Sequence, residues 1–235
     1  MPTKRPPLLN NEIYHIVNRG VGDSLTFQDI DDYYRGIFSL YEFNTTYPIE
    51  IRKQREKRRL IKARGDQQSE DIRDLFVEIL AFCFMPNHIH LLLRQIKNNG
   101  ISDFMRKYGT GYVSYFNKKY ERKGHLFQSR FRAIHIKTDE QLKNAFAYIH
   151  TNPVSLIEPN WKEKGISNPQ KAIKFLENYK WSSYQDYIGK KNFPSVTNRQ
   201  YLLKILSGTE GCRKYVEAWV KYKGEIKTLG NIILE

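Results

Sequence analysis

The sequence predicts an α+β fold: a ferredoxin-like antiparallel sheet with helices on one face, followed by a helical C-terminal extension. Three observations predict it. Four short stretches, 12–18, 75–85, 88–95 and 133–137, are rich in β-branched and apolar residues. Three longer ones, 33–47, 103–120 and 139–150, carry apolar residues at helical spacing. The two middle strands are separated only by Pro86-Asn87. Pro86 cannot donate to a ladder, so the chain turns there and the strands pair as an antiparallel hairpin.

Each element has its own local reason. Residues 1–10 are Pro-rich and read as a loose arm. Glu12 to Asn18 alternates as a strand, and Arg19-Gly20-Val21-Gly22 turns. Asp29 to Asp32 offer N-caps for the first helix, Tyr33 to Tyr47. Arg52 to Arg64 is dense in Lys and Arg, and Gly65 to Asp71 is polar throughout. Together, 52–74 read as a basic insertion of helix and loop, either touching phosphates or simply solvated. Ser102 is a good N-cap for the helix 103–120, in which Phe104, Tyr108, Tyr112, Tyr115 and Phe116 recur at helical spacing. Gly109 and Gly111 weaken that helix or allow close backbone approach. Thr138 caps the helix 139–150, whose buried stripe is Leu142, Ala145, Phe146 and Ile149, and Asn152-Pro153 stops it. The core is therefore placed at 1–154. Residues 155–235 are placed as an extension packed on it, with short helices near Trp181–Tyr187, Tyr201–Leu206 and Cys212–Tyr222.

Composition narrows the function class. The chain has 235 residues and a formal net charge of +14. That excess calls for an anionic partner, most simply nucleic acid, because Lys and Arg gain affinity by releasing phosphate counterions. Aromatics make up 14% of the residues, which suits stacked bases and an ordinary core equally. Cys83 and Cys212 are far apart and form no C-x-x-C pair, which argues against a disulfide framework and a structural zinc site. No apolar run approaches a membrane span, so the expectation is a cytoplasmic protein with no membrane partner.

The chemistry concentrates at His88-Ile89-His90. On a strand, residues i and i+2 share a face, so the two imidazoles stand side by side and can share one divalent cation. The same spacing also arises by chance on a half-exposed strand. Tyr148 and Asn152 are four apart and share a helical face. An amide oxygen at Asn152 can join two imidazoles on a cation, with the Tyr148 hydroxyl one turn away. Spacing alone does not choose Tyr148 among 16 tyrosines.

Four motifs occur in order: Tyr14-His15-Ile16-Val17-Asn18-Arg19-Gly20, Met85-Pro86-Asn87-His88-Ile89-His90-Leu91-Leu92, Gly124-His125-Leu126-Phe127-Gln128-Ser129-Arg130-Phe131 and Tyr148-Ile149-His150-Thr151-Asn152-Pro153-Val154. With Trp181-Ser182-Ser183-Tyr184, they resemble the REP-associated tyrosine transposases. Those are relatives of the single-strand insertion-sequence transposases of the HUH superfamily. The resemblance covers roughly 12–188 and implies the HUH version of the ferredoxin-like fold. It implies a metal-dependent single-stranded DNA endonuclease and strand transferase working through a 5′-phosphotyrosine. Residue by residue, it implies Tyr148 as nucleophile and His88, His90 and Asn152 as ligands of Mg²⁺ or Mn²⁺. Two imidazoles are also compatible with zinc. The implied partner is single-stranded or hairpin-forming repeat DNA, bound by a monomer or a homodimer. The insertion at 52–74 and the long extension depart from the compact family pattern.

For DNA contact the sequence offers Arg106, Lys107, Lys118, Lys119, Arg122, Lys123, Arg130 and Arg132. Arg130 and Arg132 share parity in an extended stretch and can face one phosphate track. Two other classes compete with strand transfer. One is a non-catalytic DNA- or RNA-binding module derived from a transposase. The other is a hydrolytic nuclease in which water attacks and the tyrosine is incidental.

Overall fold

The computed structural model describes residues 6–64, 73–128 and 130–226. Residues 1–5, the whole of the polar stretch 65–71 expected as a loop, and Ser129 lie outside them, as does the stretch after 226. Among the described residues the elements run β1 (Ile13–Arg19), α1 (Ile30–Glu42), α2 (Ile51–Arg64), β2 (Val77–Met85), β3 (His88–Gln95) and α3 (Gly100–Lys119). There follow β4 (Arg132–Ile136), α4 (Asp139–Thr151), α5 (Trp161–Lys164), α6 (Pro169–Asn178), α7 (Tyr184–Tyr187), α8 (Gln200–Ile205) and α9 (Gly208–Ile226). The four strands form one antiparallel sheet in the order β2-β3-β1-β4. That is the α+β antiparallel architecture the strand order predicts.

The helical cover differs from the expectation. α1 and α3 pack on one face, where Ile37, Phe104, Tyr108 and Tyr112 meet Tyr14, Ile16, Ile89 and Leu91. α4 packs on the other face, where Phe146 and Ile149 meet Ile13, Cys83 and Leu92. The C-terminal helices join α4 on this second face through Trp161, Leu176, Tyr187 and Val216. Helices on one face alone would leave Leu92 and Cys83 in water. The unbroken apolar run Leu91-Leu92-Leu93 belongs to a strand covered on both sides. A register shift between Ile79 and Ala81 adds one residue to β2, so Leu80 and Ala81 both serve the α4 face.

Local details correct several boundaries. The stretch before β1 is pinned rather than loose: Leu9 N–H donates to the Tyr14 hydroxyl, which donates in turn to the Pro7 carbonyl. α1 starts at Ile30 with a capping box between Asp29 and Asp32, and it ends five residues early, at Glu42. There Asn44 turns away, its amide nitrogen donating to the Val77 carbonyl and its oxygen accepting from Val77 N–H. α3 starts at Gly100, not after Ser102. Gln95 reaches from β3 to accept from Ile101 N–H, so a strand side chain satisfies the helix start. The Thr138 cap is as expected, accepting from Gln141 N–H. Asn152-Pro153 does not stop the chain's winding outright; a 3-10 turn continues over Asn152–Leu156. At the outer edge of β2, Phe84 N–H donates to the Trp181 carbonyl and Ser183 N–H to the Phe82 carbonyl. The C-terminal region thus covers an edge that would otherwise be free to pair.

Candidate active site

β3 presents His88 and His90 toward α4, the face that Leu92 shares. Their rings stand 4.8 Å apart, centroid to centroid. His88 Nδ1 lies 2.6 Å from Asn87 Oδ1. The imidazole N–H donates there, leaving Nε2 as the lone-pair nitrogen. His90 Nδ1 lies 2.9 Å from His15 Nε2, across the β1–β3 pairing. The other His90 nitrogen, Nε2, is buried and has no partner. Nε2 is thus the nitrogen of His90 that is open to a ligand.

All three imidazoles are held neutral. Burial pushes His15 down to about 3, with Arg132 and Lys162 adding to it. Burial likewise takes His88 to about 3, helped by Arg19 and Lys162. His90 is well below its ordinary value through burial, then the neighbouring His88 and His15. Neutral rings with free lone pairs are the form that binds a cation.

α4 brings Tyr148 over these rings. Its ring meets His90 edge-on at 5.7 Å and His15 at 5.8 Å. Tyr148 is 6% exposed. Four residues on, Asn152 donates from its amide nitrogen to the Tyr148 carbonyl at 2.8 Å. That bond fixes the amide and leaves its oxygen as the free donor atom. The Tyr148 hydroxyl accepts a hydrogen bond from Lys162 Nζ at 2.9 Å.

These groups line one cavity of about 440 Å³, together with Arg19, Gln128, Arg130 and Arg132. His88, His90, Tyr148, Asn152, Arg130 and Arg132 are therefore brought together. A larger cavity, about 750 Å³, adjoins it through Gln128 and Arg130 and reaches Arg106 on α3. The other basic residues are elsewhere. Lys107 donates to the Thr45 carbonyl and tethers the loop after α1. Lys119 is bound to Asp29 and to the buried Asp32, with Tyr115 and Tyr120 on the same carboxylate. Each is tied by these bonds to another part of the fold. Arg106 pairs with Asp103, Arg122 lies over the Phe116 ring, and Lys118 and Lys123 are exposed.

His15 and Lys162 escaped sequence reasoning. His15 had a signal, since alternation along β1 puts it opposite Leu92 and on the His90 face. Lys162 had none, being 14 residues beyond Tyr148 in an irregular stretch. Among the described residues no group of three or more His, Cys, Asp and Glu could hold a metal ion. The set here is two imidazoles and an amide. No helix among the described residues is long and apolar enough to cross a membrane.

The fold is shared with a solved structure. A solved structure of a REP-associated tyrosine transposase bound to a REP hairpin superposes with a TM-score of 0.51 at 12% identity, covering 85% of this chain and 96% of that one. A tRNA(His) guanylyltransferase from Saccharomyces cerevisiae gives a TM-score of 0.35 at 11% identity, over 75% and 76% of the two chains. No curated protein sequence matches. The family model described as "Transposase IS200 like" matches residues 47–152. That span opens before α2, takes in both histidines of β3 and closes on Asn152 at the end of α4. Over that span the chain is similar to the IS200-like transposases.

Proposed function

We propose that this protein nicks and rejoins single-stranded DNA through a covalent 5′-phosphotyrosine at Tyr148. A divalent cation, Mg²⁺ or Mn²⁺, would be held by His88, His90 and Asn152. One observation carries the reading: a strand and a helix from different parts of the chain bring two neutral imidazoles, an oriented amide and a tyrosine hydroxyl to one cavity. The open Nε2 of His90 and the free oxygen of Asn152 suit a cation, and the amide oxygen favours a hard one. When bound, the cation supplies Lewis-acid stabilisation for charge developing on a non-bridging phosphate oxygen.

The chain's own residues do the rest. Tyr148 offers its hydroxyl oxygen to phosphorus. The Oη–P bond forms as the P–O3′ bond breaks, the phenolic proton passes to water, and the 3′-oxygen takes a proton from water. Phosphodiester energy is kept in the phosphotyrosine, so a second 3′-hydroxyl can rejoin the strand without another energy source. Arg130 and Arg132 line the cavity where backbone phosphates would lie. All these groups come from one chain, so a monomer suffices for the site. Hairpin-forming repeat DNA is the proposed partner, supported by the fold shared with a protein that binds such a hairpin and by the net charge of +14. The cytoplasm is the proposed location.

The test is a denaturing gel of end-labelled single-stranded hairpin DNA from repeats flanking the gene, with Mn²⁺, using wild type and Tyr148→Phe. A heat-stable protein–DNA adduct with wild type alone is expected. Cleavage without an adduct would move the assignment to a hydrolytic nuclease.

A further inference from the structure

We propose that Lys162 is a further catalytic residue, whose ammonium holds the Tyr148 oxygen and stabilises negative charge on it during attack and again during rejoining. The proposal rests on the phosphotyrosine reading above. Lys162 Nζ donates to Tyr148 Oη at 2.9 Å and lies 4.9 Å from the centroid of that ring. Among the described residues, it is the group that hydrogen-bonds this oxygen.

The lysine is held in place rather than draped. Trp161, beside it, is 1% exposed and buried in the core under α4. The turn that carries it is closed by Lys164 N–H on the Asn160 carbonyl and Gly165 N–H on the Trp161 carbonyl. The chain between Asn152 and Trp161 is bonded too: Glu158 N–H donates to the Val154 carbonyl and Ser155 Oγ to the Asn152 carbonyl. These bonds tie the backbone around Lys162 to the end of α4.

A phenol is a weak nucleophile and needs activation. An ammonium N–H aimed at its oxygen is a charge-assisted bond that strengthens as the oxygen gains charge. In the forward step the phenolic proton leaves to water while the Oη–P bond forms and P–O3′ breaks. In rejoining, a 3′-hydroxyl attacks phosphorus, the P–Oη bond breaks, and its electron pair returns to the oxygen that Lys162 already faces. The same contact serves both directions. It also makes the region after residue 154 part of the reaction centre rather than a passive cover.

Two variants test this, Lys162→Met and Lys162→Arg, each read two ways. Without DNA, the rate at which a small aryl sulfonyl fluoride labels Tyr148 is followed by mass spectrometry. With DNA, single-turnover adduct formation is measured beside DNA affinity. Lys162→Met is expected to slow both labelling and adduct formation by about tenfold or more, with affinity changed far less. Lys162→Arg is expected to recover most of each rate. Labelling of Lys162→Met at the wild-type rate overturns the proposal, whatever the DNA result. An adduct rate that falls only in step with affinity also overturns it, making Lys162 a phosphate contact. A labelling difference without any adduct from wild type overturns the strand-transfer reading instead, and leaves the Lys162–Tyr148 coupling standing.

Discussion

His15 Nε2 and His90 Nδ1 lie 2.9 Å apart in the buried centre of the sheet, their rings stacked at 5.1 Å. The contact decides which nitrogen His90 can offer. With Nε2 turned to a cation, Nδ1 carries the proton and donates to His15. Replacing His15 with Phe keeps an aromatic ring against Tyr148 but removes the acceptor. Mn²⁺ affinity is expected to fall about 10–100-fold, as for other outer-shell partners. Isothermal titration with Mn²⁺ measures it, and unchanged affinity would detach His15 from the proposed cation site.

Two classes of basic residue should separate by salt dependence. Arg132 lines the cavity that holds Tyr148, the proposed DNA site, so Arg132→Gln should weaken single-stranded DNA binding and reduce the slope of log K against log salt by about one. Lys119 is instead tied to Asp29 and Asp32, and Asp32 is fully buried. Lys119→Met should leave the slope unchanged. It should destabilise the fold by about 1–3 kcal/mol, by stripping a buried carboxylate of its cation. Fluorescence anisotropy over a salt series, with urea melts beside it, reads both. A reduced slope in Lys119→Met would return that lysine to the DNA surface.

How far the sequence could be read follows the range of each signal. Alternation along His88-Ile89-His90 and the four-residue step from Tyr148 to Asn152 are local, and the structure places both pairs as those periods require. The pairing of β2 with β3 was legible because Pro86-Asn87 leaves the two strands little choice but to pair. The second layer of helices was harder to see. It depends on α4 crossing to the His90 face, and the clue lay in the double burial of Leu91 to Leu93. Lysines 107 and 119, offered for DNA contact, are held by the Thr45 carbonyl and Asp32, 62 and 87 positions away, and no local pattern shows such partners. Lys162 illustrates the same limit within the site.

Gly109 and Gly111 sit two residues apart on α3, yet they should respond oppositely to alanine. A Cβ on Gly111 would come 2.2 Å from the Phe43 ring, whereas one on Gly109 meets nothing within 4 Å. Gly109→Ala should stabilise by about 0.5–1 kcal/mol, the usual gain for alanine over glycine inside a helix. Gly111→Ala should destabilise by about 1–3 kcal/mol, because Phe43 must leave its place at the end of α1. Thermal melts of the two variants settle the pair. Equal stabilisation by both would mean that Phe43 yields without cost.

The fold should weaken in mild acid, and His150 lets the cause be isolated. Burial pushes His150 down to about 3. Its Nε2 lies 2.9 Å from Ser183 Oγ, and Phe146, Tyr184 and Tyr187 surround the ring. In the unfolded chain the same imidazole titrates near 6.5. Between about 6.5 and about 3 the unfolded state therefore holds the extra proton, so stability falls as pH falls through that window. His15 and His88 act with the same sign. From pH 7 to pH 5 a single such histidine removes about 2 kcal/mol. His150→Gln keeps an amide in reach of Ser183 and cannot be protonated. Urea unfolding at the two pH values should show it losing about 2 kcal/mol less than wild type over this interval. Equal losses would mean that His150 accepts its proton within the fold, and the acid sensitivity would then belong to the histidines beside Tyr148.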